Sequence, residues 1–331
     1  MAQWLGLTTK TSVPIHCIWT QEKPPNPDEN TALDADEYKL QMMLKALPFN
    51  FPCTFLPDRR LLGQLLAFAG RGGGGDIGTI SAETGIPTGK MTGKVEPMIH
   101  YASGMGLVTA AKSKGVWQIA RTSLGAMVSR EDAFLSEPLT MWLMHLLLSR
   151  RLGIVAPATG VADPWFVLFA EGRFRLGERF DLNAYLNLLT ERHGAKQYLK
   201  PLAGLVARMY SEQTCFADAA ILSTSENAAG ELLFRRESAP LETAFFPAYA
   251  VFLWLIWDEA FGDVEQVSFD ELAHETRILS LLGWDGAQAA TWLDWLADQH
   301  LAQLDRYTGS VVLLRLVKTG QVIDRLYSEL V

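Results

Sequence analysis

One order of elements occurs twice in this chain of 331 residues: a short helix, a longer helix and a hairpin. No other feature limits the fold as strongly, because a repeated unit has to bury the same faces in both copies. In the first copy, "RRLLGQLLAFAG" supplies a preceding helix with Leu61, Leu62, Leu65, Leu66 and Ala69 at helical spacing, and "RGGGGD" reads as a connector that closes it. The stretch "DIGTISAETG" gives the short helix, with Ile77, Ile80 and Thr84 inward. After a turn at Ile86-Pro87, Thr92 is the expected N-cap of the longer helix. Val95, Met98, Ile99, Ala102 and Met105 form its apolar stripe, leaving Lys94, Pro97 and Tyr101 opposite. "LVTAAKSKGVWQIA" then alternates and turns at Ser113-Lys114-Gly115, as a hairpin does. In the second copy, "VSFDELAHETRILSLLGW", "DGAQAATWLDWLADQHL" and "AQLDRYTGSVVLLRLV" supply the same parts.

Between the copies lie apolar, aromatic helices such as "LTMWLMHLLLSRRLG", "DPWFVLFAEGRF" and "AFFPAYAVFLWLIWDEAF", few of which alternate at period two. The expected fold is therefore mainly α, with two winged helix-turn-helix units flanking an aromatic-rich helical middle domain. The corresponding boundaries are an N-terminal segment and acidic linker over 1–48, a first winged-helix domain over 49–130, a middle domain over 131–262 and a second winged-helix domain over 263–331. The run from Phe245 to Trp257 is broken by Pro247 and ends at Asp258 and Glu259, which fits a buried core helix better than a bilayer span of ~20 residues.

A net charge of -8 means that any nucleic-acid contact has to come from a local basic patch. The first unit carries one. Lys90, Thr92, Lys94 and Tyr101 are placed toward a DNA groove, Lys112 and Lys114 on the hairpin reach the phosphate backbone, and Arg59 and Arg60 clamp from the preceding helix. The second long helix instead carries Asp285, Asp294 and Asp298 and no lysine or arginine, so it repels phosphate. Its Trp292 and Trp295 are expected to pack or to dimerise.

"GIPTGKMTGK" is not a phosphate-binding P-loop. That motif needs a hydroxyl directly after its lysine, and Met91 follows Lys90 while Val95 follows Lys94. Pro97 either loosens the first turn of the longer helix or marks a helix that starts at Glu96. Cys17, Cys53 and Cys215 lack metal-ligand spacing and suit a reducing cytoplasm. His145 is expected in the core, and no metal box is visible. "SRR" at Ser149 to Arg151 and "FRR" at Phe234 to Arg236 read as solvated helix ends. "ERHG" at Glu191 to Gly194 and "DPW" at Asp163 to Trp165 match no known catalytic constellation.

The stretches "DRRLLGQLLAF", "TGIPTGKMTGKVEPMIHYASGMGLV", "EPLTMWLMHLLLSRR" and "DPWFVLFAEGRF" resemble the landmarks of the SspB-like family of bacterial DNA phosphorothioation systems, from about Phe49 onward. The resemblance implies a DNA-binding component of a modification and anti-phage system, associated with DNA nicking and encoded beside a cysteine desulfurase, a sulfur-activating enzyme and an ATPase. Relatives carry a His-Glu-Ser/Thr-Phe motif where Pro52-Cys53-Thr54-Phe55 stands here, so no catalytic or metal-binding residue is transferred. A nickase would need a divalent metal, Mg or Mn; no other cofactor is evident. The expected partners are DNA, the sulfur-modification proteins and a second copy in a homodimer, with no membrane and a cytoplasmic location. The alternative is a non-enzymatic winged-helix adaptor or transcriptional regulator that binds protein partners.

Overall fold

The computed structural model describes residues 46–89, 93–154, 156–306 and 309–330. The first unit opens with α1 (Arg59–Ala69), whose N-terminus is capped by the Asp58 carboxylate accepting from Leu61 N. A two-residue strand β1 (Gly74–Gly75) follows, then α2 (Ile77–Thr84), capped in the same way by Asp76 on Thr79 N. Helix α3 (Val95–Gly104) leads into β2 (Val108–Ser113) and β3 (Val116–Arg121). The three strands form an antiparallel sheet in the order β1-β3-β2. Gly74 and Gly75 were expected in a connector and are instead an edge strand. Gly75 has φ 139°, and a Cβ on Gly74 would lie 3.0 Å from the Trp117 carbonyl oxygen, so glycine is what lets this edge pair.

The middle of the chain runs α4 (Ser123–Glu131), α5 (Pro138–Ser149) and α6 (Asp163–Phe166), which continues through a π-helical turn (Val167–Glu171) into α7 (Gly172–Arg175). Strand β4 (Arg179–Phe180), helices α8 (Leu182–His193) and α9 (Leu199–Arg208), and strands β5 (Leu222–Glu226) and β6 (Leu232–Arg236) follow. The strands form a second sheet ordered β4-β6-β5. Helix α10 (Phe246–Phe261), with the turn before it, is long and apolar enough to cross a membrane by length and composition. In this fold it lies in the core, where Phe246 through Trp254 are all buried. A helix apolar on every side needs neighbours on every side, and α5 and the C-terminal helix Thr319–Ile323 are among those that supply them. The second unit comprises β7 (Gln266–Ser268), α11 (Phe269–Thr276), α12 (Ile278–Leu282), α13 (Gly286–Asp298), β8 (Ala302–Asp305), β9 (Val312–Arg315) and α14 (Thr319–Ile323), with sheet order β7-β9-β8.

The repeat is close in detail. At a constant offset of 194 residues, the buried stripe Val95, Met98, Ile99 and Ala102 of α3 matches Ala289, Trp292, Leu293 and Leu296 of α13. Both helices end with a left-handed residue, Gly106 (φ 71°) and His300 (φ 55°). In each, the next backbone N–H reaches back to a helix carbonyl, Leu107 to Ala102 and Leu301 to Leu296, both at 2.9 Å. The strand pairing Val108 with Arg121 recurs as Ala302 with Arg315.

The architecture is nevertheless mixed α/β and not mainly α: about half of the described chain is helical, and each of its three sheets is three-stranded. Strands β1, β4 and β7, of two or three residues each, are too short to leave a period-two signature. The "SRR" and "FRR" arginines are also not solvated helix ends. Arg150 and Arg151 are buried and paired with Glu259 and Glu275, and Arg236 is buried over the Phe180 ring, 4.7 Å from its centroid.

Arg150 joins three helices. Its side chain, 1% exposed, contacts both Glu259 carboxylate oxygens on α10 while Nη1 donates to the carbonyls of Gly104 and Leu147 at 2.8 and 2.6 Å. Removing one partner leaves a buried charge unpaired, so Glu259→Ala is expected to cost about 3–5 kcal/mol in urea unfolding.

His145 sits wholly inside, with Nδ1 2.7 Å from the Tyr210 hydroxyl and its ring edge-on to Phe169. Burial pushes its pKa down to about 3, with the Arg173 charge adding to the effect. The unfolded chain binds this proton at about 6.5. Stability is therefore whole above that pH and is lost as pH falls toward the folded value. Between pH 7 and 4.5 the expected loss from this group is about 2–3 kcal/mol, and His145→Gln should flatten that part of the pH profile of unfolding.

Candidate nucleic-acid interface

The basic surface of the first unit is shaped by how α3 starts and how the hairpin turns. The Lys94 N–H donates to the Pro87 carbonyl at 3.0 Å, which closes the base of the intervening loop before the helix begins. Gly93 is required there, since a Cβ would lie 2.5 Å from Thr88 Oγ1. Lys90 and Thr92 lie outside the described residues. The helix itself begins at Val95 with Lys94 at its N-cap position, and Pro97 occupies its first turn, where a missing N–H costs no hydrogen bond. At the hairpin tip Lys114 (φ 50°) and Gly115 (φ 85°) are both left-handed, the backbone twist that matches a tight β-turn to its strands. The Lys114 side chain stands exposed at that tip.

The other candidates divide. Lys94 is half-buried, with Nζ 6.0 Å from the Phe55 ring centroid. Lys112 is exposed, ion-paired with Glu96 and 5.2 Å from the Trp117 ring centroid. Beside them His100 contacts the rings of Trp117 and Phe51, and burial holds its pKa below the usual histidine range against the pull of Glu96. Arg60 is exposed.

Two residues expected at the interface are structural. Tyr101 is fully buried, its hydroxyl donating to the Phe55 carbonyl at 3.2 Å and its ring against Phe51 and Trp165. The helix is covered on a second side by the segment 49–55, which its own periodicity does not reveal. Arg59 points inward, donating to the carbonyl of Gln213 at 2.7 Å and pairing with Asp218 at 3.0 Å. The aromatic pair of the second unit packs within the chain. Trp292 is buried, and Trp295, half-buried, meets Phe246 edge-on at 5.6 Å.

Sequence reasoning missed one constellation. Asp163 of "DPW" and Arg192 and His193 of "ERHG" converge: Arg192 Nε lies 2.9 Å and His193 Nε2 2.8 Å from Asp163 Oδ2. The two stretches are about 30 residues apart, and only the turn of the chain between α6 and α8 brings them together. Among the described residues no group of three or more His, Cys, Asp and Glu converges as a metal cage. Cys53 is exposed, while burial drives the Cys215 thiol up to about 11.

Two like units of helices and a three-stranded sheet, set on a helical core with a small sheet of its own, define the fold class. Solved structures share it. A magnesium-bound SspB structure matches at 16% identity over 87% of this chain and 90% of that one, with a TM-score of 0.66. A second SspB structure matches with the same identity and coverage at a TM-score of 0.62. The chain has an SspB-like fold. No protein-family model and no curated protein matches the sequence.

The inward placement of Arg59 has a measurable consequence. Arg59→Ala leaves the Asp218 carboxylate and the Gln213 and Leu135 carbonyls without their donor and is expected to lower stability by about 1–3 kcal/mol. Arg60→Ala, on the exposed side of the same helix, should stay within about 0.5 kcal/mol; chemical denaturation of both variants compares them.

Proposed function

We propose that this chain is the DNA-contacting component of a phosphorothioate-modification and anti-phage system, and that its two repeated units are winged helices of which the first meets DNA. The observation that carries the reading is the charge of the first unit. Lys94, Lys112, Lys114 and Arg60 lie around α3 and its hairpin in a chain of net charge -8, whereas α13 carries acidic residues. The likeness to SspB structures supports the system; the lysines support the ligand. In this reading 49–130 and 263–331 are the winged-helix domains and 131–262 the middle domain.

The proposed activity is nicking of DNA in the presence of magnesium or manganese, with the cysteine desulfurase, the sulfur-activating enzyme and the ATPase of such systems as partners. The residues described do not form a protein-built metal cage, so no step is assigned to a metal. A homodimer is proposed through the acidic second unit, where Trp295 is only half-covered by Phe246.

Each phosphate-bound lysine contributes about one unit to the slope of log K against log salt. Lys94→Ala with Lys114→Ala should therefore flatten that slope by about two units while folding survives, measured by fluorescence anisotropy on duplex DNA over a salt series. An unchanged affinity and slope would move the interface off this surface and leave the protein-binding adaptor as the better account.

A further inference from the structure

Asp163 is the best-supplied carboxylate among the described residues. Its Oδ1 accepts from Thr159 Oγ1 at 2.9 Å, from Gly160 N at 2.7 Å and from Arg192 Nη2 at 3.0 Å, while Oδ2 accepts from Arg192 Nε at 2.9 Å. So many donors fix the position of the group. His193, the last residue of α8, places Nε2 2.8 Å from Oδ2, and its side chain remains 21% exposed. In this ring orientation Nε2 faces the carboxylate, with its N–H off the straight line to Oδ2. Nδ1 makes no hydrogen bond among the described residues, and Phe49 packs on the ring with centroids 4.2 Å apart. An anchored carboxylate behind one ring nitrogen, with the other free, is the arrangement of a histidine base held by an orienting acid.

The surroundings favour an anionic substrate. Lys196 is exposed near His193 and lies 5.9 Å from the Tyr198 ring, which itself flanks Phe49. Cations beside aromatic faces suit a nucleic-acid strand, with phosphate on the one and base on the other. The segment 47–55 links this place to the basic unit, since Phe49 touches His193, Phe51 touches His100 and Tyr101, and Phe55 underlies Lys94.

The geometry points to His193, positioned by Asp163, as the general base for hydrolysis of a DNA phosphodiester, with Lys196 on the phosphate; this deepens, and rests on, the DNA reading above. A water oxygen bonds to phosphorus as its proton passes to His193 Nδ1, and the bond from phosphorus to one sugar oxygen breaks. That oxygen takes a proton from solvent, leaving a phosphomonoester end and a hydroxyl end. Burial holds His193 below the usual histidine range; Asp163 opposes this and Arg192 and Lys196 reinforce it. The ring is accordingly neutral at pH 7, as a base has to be, and nicking should decline on the acid side as it protonates.

The test is nicking of supercoiled plasmid with magnesium or manganese, read beside anisotropy on the same DNA. His193→Ala, at a partly exposed helix end, should fold and bind DNA as the wild type does while nicking falls about 100-fold or more. His193→Gly should regain nicking on addition of imidazole, which a structural role for the side chain does not predict. Nicking indifferent to His193→Ala overturns the assignment of His193 alone, whereas wild-type protein that binds DNA without nicking it overturns that assignment together with the proposed nicking activity and leaves DNA contact standing. Wild-type protein that binds no DNA at all overturns the DNA reading as well.

Discussion

The buried guanidinium of Arg150 is the constraint on which the arrangement of the units depends. A charge almost fully removed from water is tolerated only when every donor is answered. Here the answer comes from three separate elements: the Glu259 carboxylate on α10 and the carbonyls of Gly104 and Leu147 near the C-terminal ends of α3 and α5. Those carbonyls belong to the last turns of their helices, which have no intrahelical donors to accept from, and a cation there also meets the negative ends of two helix dipoles. Gly104 is fitted to the same joint. A Cβ at that position would lie 2.8 Å from a Leu47 methyl carbon and 2.9 Å from one of Leu148. The first unit is thus tied to the helical core by a hydrogen bond from a guanidinium that an ion pair holds in place.

That joint was not visible in the chain as a string. Ser149-Arg150-Arg151 after an apolar helix looks like a helix end reaching for water, and nothing local to the sequence points to Glu259 more than 100 residues on. The stripe of α3 was legible because its periodicity is local, and Val95, Met98, Ile99 and Ala102 are all buried. Tyr101 was misplaced for the complementary reason: a helix with one apolar stripe announces one buried face, whereas α3 is covered on two. The second cover is the segment 49–55, an irregular stretch with no period to read. The repeat could be found because its order recurs; its third strands, glycine-rich or three residues long, could not.

The same division explains the candidate sites. Lys114 was readable as a surface cation because exposure follows from standing at a hairpin tip, whereas Lys94, off the apolar stripe, is half-buried over Phe55. Arg59 and Arg60 are adjacent in sequence and opposite in fate, since a helix turns about 100° between neighbours and only one of them faces Asp218. Asp163 and His193 each looked unremarkable alone. Their pairing depends on how α8 returns along α6, a tertiary fact that no spacing within either segment encodes.

What differs between the two units lies outside their shared frame. Each ties a hairpin cation to a carboxylate on its long helix, Lys112 to Glu96 in the first and Arg306 to Asp294 in the second, at equivalent hairpin positions. That cation is committed within its own unit in both. The contrast in charge therefore rests on three aligned positions: Lys94 against Gln288, Lys114 against Thr308 and Gly104 against Asp298. One frame of buried stripe, left-handed helix end and matched strand register is compatible with either surface, because a side chain off the stripe adds little to stability while adding fully to the field a phosphate backbone meets.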